Sequence, residues 1–360
     1  MELLDIPNYR LANQNIFHPA SKTPGEIVSL LGAVQAQNYP SALWAIGLRI
    51  PSSTKQDVEK AIQQRRIIRT WPMRGTLHFV AAEDVRWMVQ LLAPRTISAT
   101  ASRRKMFGLD DELFKRCKKL LAKALEGDNQ LTRKDLYKVL EDAKISTKNN
   151  RGLHILHQAS YEGLICFAAH DDKQPTFALL DEWVPKTKPL SHEEALAELV
   201  KRYFTSHGPA TVYDLAWWSG LRISEINSGI EMVSKQVSNQ TINGKTYWMS
   251  KSSKILKDES SEAYLLPDFD EYIVSYKDRS AVLNHQYAKQ GINGRTLTTL
   301  LSPTIIVDGN VVGTWKRSYI RSSVVVTRHL LQKLDKEQLE SVASAAEKYG
   351  RFLGMPVVLK

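Results

Sequence analysis

The stretch Ile67-Ile68-Arg69-Thr70-Trp71-Pro72-Met73-Arg74-Gly75-Thr76-Leu77-His78-Phe79-Val80 gives the clearest structural signal in the chain. Two runs rich in β-branched and aromatic residues, 67–71 and 75–80, flank Pro72-Met73-Arg74, and this pattern predicts a β-hairpin. Helices are predicted before it over residues 27–34, about 43–48 and 54–66. Helices followed by a hairpin are typical of the winged helix, a helix-turn-helix with a β wing.

One helix-start signal occurs three times along the chain. A threonine is followed three residues later by an acid and then by apolar positions at helical spacing, in Thr23-Pro24-Gly25-Glu26, Thr132-Arg133-Lys134-Asp135 and Thr211-Val212-Tyr213-Asp214. The hydroxyl can accept from the third backbone N–H while the acid favours the positive end of the helix, as in a capping box. Because each signal opens a group of short helices that ends in β-rich sequence, a repeated unit is indicated.

The second and third groups repeat the plan of the first. The second has helices over 131–140 and about 149–162, then strands over 164–168 and 176–180 around the turn His170-Asp171-Asp172-Lys173. The third has a helix containing Trp217 and Trp218, another near Ser224, and a hairpin over 240–249 with Asn243-Gly244 as its turn. Both tryptophans are predicted to be core residues, since aromatics at the centre of a helix are usually buried.

The C-terminal part is predicted to be rich in strands. Residues 262–330 alternate strand and turn signals, with Asp308-Gly309-Asn310 as a hairpin turn, and Asp335 opens a last helix to about Tyr349. We therefore predict an α+β chain. It has three tandem winged-helix units, over 1–108, 109–188 and 189–260, followed by a β-rich region over 261–360.

Composition favours a polyanionic partner. The 360 residues include 49 Lys and Arg against 38 Asp and Glu, a formal net charge of +11, so the long-range field attracts nucleic acid. The two cysteines, Cys117 and Cys166, form no CxxC pair, which gives no support to a metal site or a disulfide framework. Residues 1–20 show no cationic start followed by an apolar run, and no stretch reaches the ~20 apolar residues of a membrane helix. We expect an unprocessed, soluble cytoplasmic protein without a cofactor.

Several motifs resemble a known family. Leu31-Gly32-Ala33-Val34-Gln35-Ala36-Gln37, followed by Arg69-Thr70-Trp71-Pro72-Met73-Arg74-Gly75-Thr76-Leu77-His78, closely resembles the start of the AlkZ/YcaQ-like winged-helix DNA glycosylases. Leu266-Pro267-Asp268-Phe269-Asp270-Glu271-Tyr272, Tyr276-Lys277-Asp278-Arg279 and Val312-Gly313-Thr314-Trp315-Lys316-Arg317 are also similar to that family. The resemblance implies a monomer with three winged helices in a C-shape around duplex DNA and a C-terminal β-hairpin near the minor groove. It also implies metal-free removal of alkylated bases, while the sequence leaves open whether interstrand crosslinks are unhooked.

The family's catalytic triplet, Gln-apolar-Gln or Gln-apolar-Asp, corresponds to Gln35, Ala36 and Gln37. In an unbroken helix, side chains at i and i+2 diverge by about 200°, so the two glutamines can bracket one target only if the helix ends there. Asn38-Tyr39-Pro40 favours such an ending, because the residue before proline is pushed out of the α region. Considered without the resemblance, Gln-Ala-Gln is more often an ordinary solvated helix surface.

The chemistry requires no strong acid or base. A 7- or 3-alkylated purine is cationic and leaves as a neutral base, so a weakly nucleophilic water can attack the oxocarbenium-like sugar if it is well placed. Gln35 and Gln37 would hold that water and offer carbonyl dipoles to the developing cation. An Asp in place of Gln37, as in the other branch of the family, would add a full negative charge. Its absence puts activity on less activated lesions in doubt.

Other candidates are basic residues near the predicted hairpins. Arg69 and Arg74 on the wing are predicted to meet phosphates, and His78 to contact phosphate or the catalytic water or else to be structural. Arg103-Arg104-Lys105 is predicted to contact the DNA backbone, with a solvated helix face as the alternative. Lys316 and Arg317 are predicted near a DNA-facing hairpin, with Trp315 packed beneath it.

Two other classes of function compete with the glycosylase. One is a non-enzymatic winged-helix DNA-binding protein such as a transcription regulator, since fold does not establish activity. The other is a metal-dependent nuclease, for which Asp268, Asp270 and Glu271 could form a carboxylate cluster. We expect those three acids to form a structural turn instead.

Overall fold

The computed structural model describes residues 5–171, 174–254, 261–283 and 302–360. Its helices are α1 Ile6–Asn13, α2 Pro24–Leu31, α3 Tyr39–Gly47, α4 Lys55–Gln63, α5 Val85–Ala99, α6 Ala101–Met106, α7 Asp111–Leu125, α8 Arg133–Asp142, α9 Arg151–Tyr161, α10 Leu180–Trp183, α11 His192–Ser206, α12 Val212–Ser219, α13 Ile223–Met232, α14 Glu271–Val274 and α15 Lys336–Leu353. Its strands are β1 Val34–Gln35, β2 Ile67–Met73, β3 Thr76–Ala81, β4 Leu131–Thr132, β5 Ile165–Asp171, β6 Gln174–Leu179, β7 Val237–Ile242, β8 Lys245–Ser250, β9 Ala263–Leu266, β10 Thr304–Val307, β11 Asn310–Ile320, β12 Ser323–Leu330 and β13 Val357–Leu359. The fold is mixed α and β.

The three repeated helix starts are capping boxes. Thr23, Thr132 and Thr211 each accept a hydrogen bond from the third backbone N–H, and the acid there accepts from the threonine N–H. The helix predicted over 27–34 is too long, however, because α2 ends at Leu31. Gly32 follows in a left-handed conformation, with φ of 78°, and glycine adopts this at little cost. Val34 therefore lies in strand β1.

The predicted wing is a hairpin of β2 and β3, but its turn lies later than expected. Strand β2 continues through Pro72 to Met73, with a register shift between Thr70 and Met73 that accommodates the proline. Arg74 and Gly75, with φ of 54° and 71°, form the turn, as in a type I′ hairpin. Of the second turn, predicted over 170–173, Asp172 and Lys173 lie outside the described residues, whereas His170 and Asp171 belong to strand β5 and pair with β6.

The first two groups share one sheet of order β1-β3-β2-β5-β6-β4. Arg69 of β2 pairs with Phe167 of β5, which joins the two hairpins. In the third group, β7 and β8 form the expected hairpin around Asn243-Gly244. Trp218 is buried as predicted, but Trp217 is 46% exposed. The expectation that both tryptophans lie in the core was wrong for Trp217, because neighbouring positions of a helix face different directions.

The C-terminal strands form a sheet of order β13-β12-β11-β10-β9, with Asp308-Gly309 at the β10–β11 turn as predicted. Trp44 of α3 packs against Tyr349 and Phe352 of α15, with ring centroids 5.0 Å apart in both pairs. The helices of the first group therefore share a hydrophobic core with the C-terminal sheet. No helix within the described ranges is long and apolar enough to cross a membrane.

Candidate active site

The Gln-Ala-Gln triplet starts at the edge of the first sheet, where Gln35 is the last residue of β1 and Gln37 lies in the bend that follows. Gln35 is directly opposite His78 of β3, and the Ala36 N–H donates to the Leu77 carbonyl at 2.7 Å. The helix thus ends before the triplet, but at Leu31 and not at Asn38-Tyr39-Pro40 as predicted, because Asn38 caps the start of α3 and Pro40 lies in its first turn. Both glutamines contact neighbouring residues of β3, Gln35 by pairing with His78 and Gln37 by accepting from the Leu77 N–H, so the two lie beside each other.

The two glutamines differ in which of their side-chain polar atoms are left without a hydrogen bond. The Oε1 atom of Gln37 accepts from the Leu77 N–H at 2.9 Å, which leaves its amide N–H groups available at an exposed position. The Oε1 atom of Gln35 is buried and has no hydrogen-bond partner among the described residues. A buried acceptor without a donor is uncommon and costly, so Gln35 carries an unused carbonyl dipole inside the site.

Arg69 holds this segment in place. Its Nε and Nη2 donate to the Ala36 carbonyl at 3.2 and 2.8 Å, and the guanidinium lies between the rings of Tyr39 and Phe167. Burial lowers the pKa of Arg69 to about 10. Sequence reasoning placed Arg69 on an exposed wing facing phosphates, whereas the structure gives it a half-buried contact with the triplet backbone.

The acids of the 266–272 stretch support the triplet from the other side. Asp268 Oδ2 accepts from Asn38 Nδ2 at 3.0 Å and from Ser41 Oγ at 2.8 Å. Asp270 forms a buried bidentate ion pair with Arg49, both contacts being 2.8 Å. The sequence predicted a structural turn here, but it did not predict which residues the acids of the turn would contact. The available signal was that both stretches carried the same family resemblance.

Glu271 contacts the triplet directly. Its Oε1 accepts from the Gln35 N–H at 2.8 Å, and its Oε2 accepts from Trp218 Nε1 at 2.9 Å and from the Ser275 hydroxyl. Burial alone would raise the pKa of Glu271, but the proximity of His207 and His78 and the Ser275 hydrogen bond lower it to about 2. At neutral pH, the hydrogen bonds from the Gln35 N–H, the Trp218 indole and the Ser275 hydroxyl stabilise Glu271 as a buried negative charge beside the backbone of Gln35.

His78 is a neutral acceptor in this site. Its side chain is fully buried, and burial, together with the nearby charge of Arg74, lowers its pKa to about 4. Nδ1 lies 2.9 Å from the Thr76 carbonyl, which requires the ring proton on Nδ1. The Nε2 lone pair is then buried, with no hydrogen-bond partner in the described ranges. This geometry favours the water-contact prediction for His78 over the phosphate contact.

Arg74, Arg103 and Arg104 line one cavity of about 540 Å³, together with Arg95, His154 and His157. Arg104 donates to Gln158 at 2.9 Å and Arg95 pairs with Glu225, while the Nε of Arg74 is buried without a hydrogen bond to any described residue. Lys105 is exposed on the same short helix, α6. Three predicted DNA contacts from separate stretches are thus brought together in a basic cavity.

The remaining predicted contacts lie on the C-terminal hairpin of β11 and β12. Lys316 is exposed, whereas Arg317 is half-buried and reaches the Ser41 hydroxyl at 3.3 Å. Trp315 is buried beneath the hairpin, as predicted. At the tip, Tyr319 and Ile320 are 54% and 55% exposed, an apolar pair in solvent that sequence reasoning did not single out.

Comparisons with known proteins agree with this geometry. A family model described as DNA glycosylase AlkZ-like matches residues 28–352. An interstrand DNA cross-link repair glycosylase of Streptomyces sahachiroi is 22% identical over 338 residues, which cover 89% of this chain and 88% of that protein. The solved structure of Streptomyces sahachiroi DNA glycosylase AlkZ matches with a TM-score of 0.81 and 19% identity, covering 100% of both chains. No group of three or more metal-ligating side chains occurs in the part of the chain that the structure describes.

Proposed function

The chain belongs to the AlkZ-like DNA glycosylase family, and on this premise we propose that it hydrolyses the N-glycosidic bond of cationic N7- or N3-alkylated purines in duplex DNA. The observation that carries the proposal is the pair of unused acceptors, Gln35 Oε1 and His78 Nε2, on opposed residues of β1 and β3. Side chains of directly opposed residues lie on the same face of a sheet. We propose that one water molecule donates a hydrogen bond to each acceptor.

The reaction follows from that placement. The bond between C1′ and N9 breaks with its electron pair passing to the base, which cancels the positive charge and removes the need for a general acid. A water that donates both protons to Gln35 and His78 presents an oxygen lone pair to C1′ of the oxocarbenium-like sugar. The carbonyl dipole of Gln35 faces the developing positive charge. After the new C1′–O bond has formed, the protonated attacking oxygen passes its extra proton to the free Nε2 of His78, from which the proton goes to solvent. Gln37 contributes its free amide N–H groups at the mouth of the site.

Two basic surfaces are proposed to bind the DNA, the cavity lined by arginines and the C-terminal hairpin. The cavity that contains Arg74, Arg103 and Arg104 suits backbone phosphates, since arginine forks match phosphate oxygens. Lys316 and the tip of the β11–β12 hairpin are proposed to contact a groove of the duplex. We propose that the three helix groups act as winged-helix units of one monomer around the duplex, at the nucleoid in the cytoplasm. Like its cross-link repair relative, it would also unhook crosslinks built from such purines.

The direct test is incubation with duplex DNA that contains 7-methylguanine, scoring free base and abasic sites. We expect Gln35→Ala and Gln37→Ala to slow base release by ~10–1000-fold with DNA affinity unchanged, because the lost interactions belong chiefly to the transition state. Gln63→Ala, at an exposed position of α4, is the matched control. Base release should persist in EDTA, because amide and imidazole groups hold the water.

The same assay decides between the proposed function and its competitors. Tight duplex binding without base release from the wild-type protein would favour a non-enzymatic DNA-binding protein. Wild-type rates in folded alanine variants would remove the glutamines from the mechanism.

A further inference from the structure

We propose that Glu271 is a positioning residue of the glycosylase reaction, which fixes the Gln35 backbone and supplies the negative charge that the Gln-Ala-Gln triplet lacks. The inference rests on the proposed function. It differs from the expected turn-forming role because the contacts of Glu271 lead to the triplet and not only to its own turn.

The first step is the hydrogen bond to Gln35. Strand β1 is the end strand of its sheet and pairs with β3 alone. The Gln35 N–H donates to Glu271 Oε1 at 2.8 Å, so this carboxylate occupies the place where a neighbouring strand would otherwise accept. An edge strand of two residues has little to hold it, and a buried N–H without an acceptor is costly. Glu271 therefore fixes the backbone from which the catalytic amide projects.

The second step is the charge. Two other buried acids near the site are neutralised by arginines, Asp270 by Arg49 and Asp84 by Arg202. Glu271 is 1% exposed and has no guanidinium or ammonium within ion-pair distance among the described residues. The basic side chain within ion-pair distance of it, in the ranges that the structure describes, is His207, whose Nε2 lies 3.8 Å from Oε2, and the charge of Arg74 acts on it from farther away. A buried charge without a counter-ion is unfavourable unless function retains it.

The third step identifies the missing counter-charge. The proposed substrate is a cationic purine, and its positive charge moves onto the sugar during bond cleavage. A fixed negative charge in a low-dielectric site stabilises such a cation without reorganisation in the transition state. In the family branch with Gln-apolar-Asp, the triplet itself carries an acid. Here we propose that Glu271 provides it from beside the strand, without touching the substrate.

The test separates the charge from the packing. Glu271→Gln alone would place an amide NH₂ against a donor, either the indole N–H or the Gln35 N–H, and is prone to misfold. Trp218→Phe removes the indole donor, so Glu271→Gln/Trp218→Phe has a compatible neutral amide and is compared with Trp218→Phe as its reference. Melting temperatures verify folding, and single-turnover base release and DNA Kd are measured on 7-methylguanine duplexes.

We expect base release by the double variant to be ~10–100-fold slower than that of Trp218→Phe, with DNA Kd within about two-fold. Glu271→Asp/Trp218→Phe, which restores the charge, should recover part of the rate. Equal rates in the double variant and its reference overturn the role of Glu271 and leave the proposed function intact. If the wild-type protein releases no base, both the proposed function and this inference fail.

Discussion

Gln35 and Gln37 are the two polar residues of the same motif, but their side chains make different hydrogen bonds in the structure. The carbonyl of Gln37 is bound to the Leu77 N–H, whereas that of Gln35 has no partner among the described residues. The carbonyl of Gln35 is therefore the one free to bind water, and Gln37 combines a structural contact with an exposed amide. A substitution at Gln37 that keeps an acceptor for Leu77 should be tolerated.

Gln37→Asp is the substitution that tests this asymmetry. A carboxylate can still accept from Leu77 and adds a charge near the oxocarbenium, while the leaving base needs no proton. We expect base release from 7-methylguanine DNA to stay within about ten-fold of wild type, and release of neutral lesions such as hypoxanthine to rise if it is detectable. Gln63→Asp is the control, because it makes the same change of charge at an exposed position of α4. Loss of activity as complete as in Gln37→Ala would contradict the expectation.

His78 should make the stability of the protein depend on pH. Its pKa is about 4 in the folded protein against the ordinary value of 6.5, so the folded state disfavours the protonated ring. The stabilisation from the neutral ring is complete above pH 6.5 and is lost as pH falls towards 4. The loss is on the order of 3 kcal/mol.

Urea unfolding at pH 7 and pH 4 checks this expectation. The fall in unfolding free energy between the two pH values should be smaller in His78→Gln than in wild type by about that amount, since glutamine does not titrate. His157, whose pKa is also about 4, remains in both proteins and acts as the internal reference. Identical pH dependence in both would show that His78 is not buried as a neutral ring.

At the scale of elements, sequence periodicity located the helices and hairpins but not their partners. The capping boxes and the Asn243-Gly244 turn depend only on residues close together in the sequence, and they were predicted correctly. The contacts of the half-buried Arg69 were not, because they involve Ala36 and Phe167, which reach Arg69 only after the two hairpins join in one sheet. Likewise the role of Glu271 depends on a strand 236 residues away, a contact that no local pattern reveals.

The β11–β12 hairpin offers a prediction at this scale. Its tip exposes Tyr319 and Ile320, and apolar side chains at such positions in DNA-binding proteins insert between base steps. Tyr319→Ser/Ile320→Ser should weaken duplex binding by ~10-fold, about the effect of losing one apolar wedge, with an unchanged melting temperature. Val358→Ser, at another exposed apolar position of the same sheet, is the control. Unchanged DNA affinity in the double variant would exclude the tip from the interface.

At the scale of the whole molecule, the charge of the chain was readable from its composition but its distribution was not. Arg74, Arg103 and Arg104 come from a hairpin turn and a short helix and meet in one cavity only in the folded protein. The core likewise joins the first helices to the C-terminal sheet, so the boundaries at 108, 188 and 260 remain predictions. Composition indicates a partner, and tertiary packing determines where that partner binds.

The net charge of +11 and the basic cavity predict salt-dependent binding to duplex DNA with little sequence preference. Each phosphate neutralised contributes about −0.9 to the slope of log affinity against log salt concentration. Arg103→Gln should therefore make the slope shallower by about 0.9 for every duplex sequence tested, because a phosphate contact carries no sequence information. Lys336→Gln, at an exposed position of α15 outside the cavity, should leave it unchanged. Fluorescence anisotropy between 50 and 200 mM salt measures both. A slope near zero, or strong preference for one sequence, would favour the transcription regulator over the glycosylase.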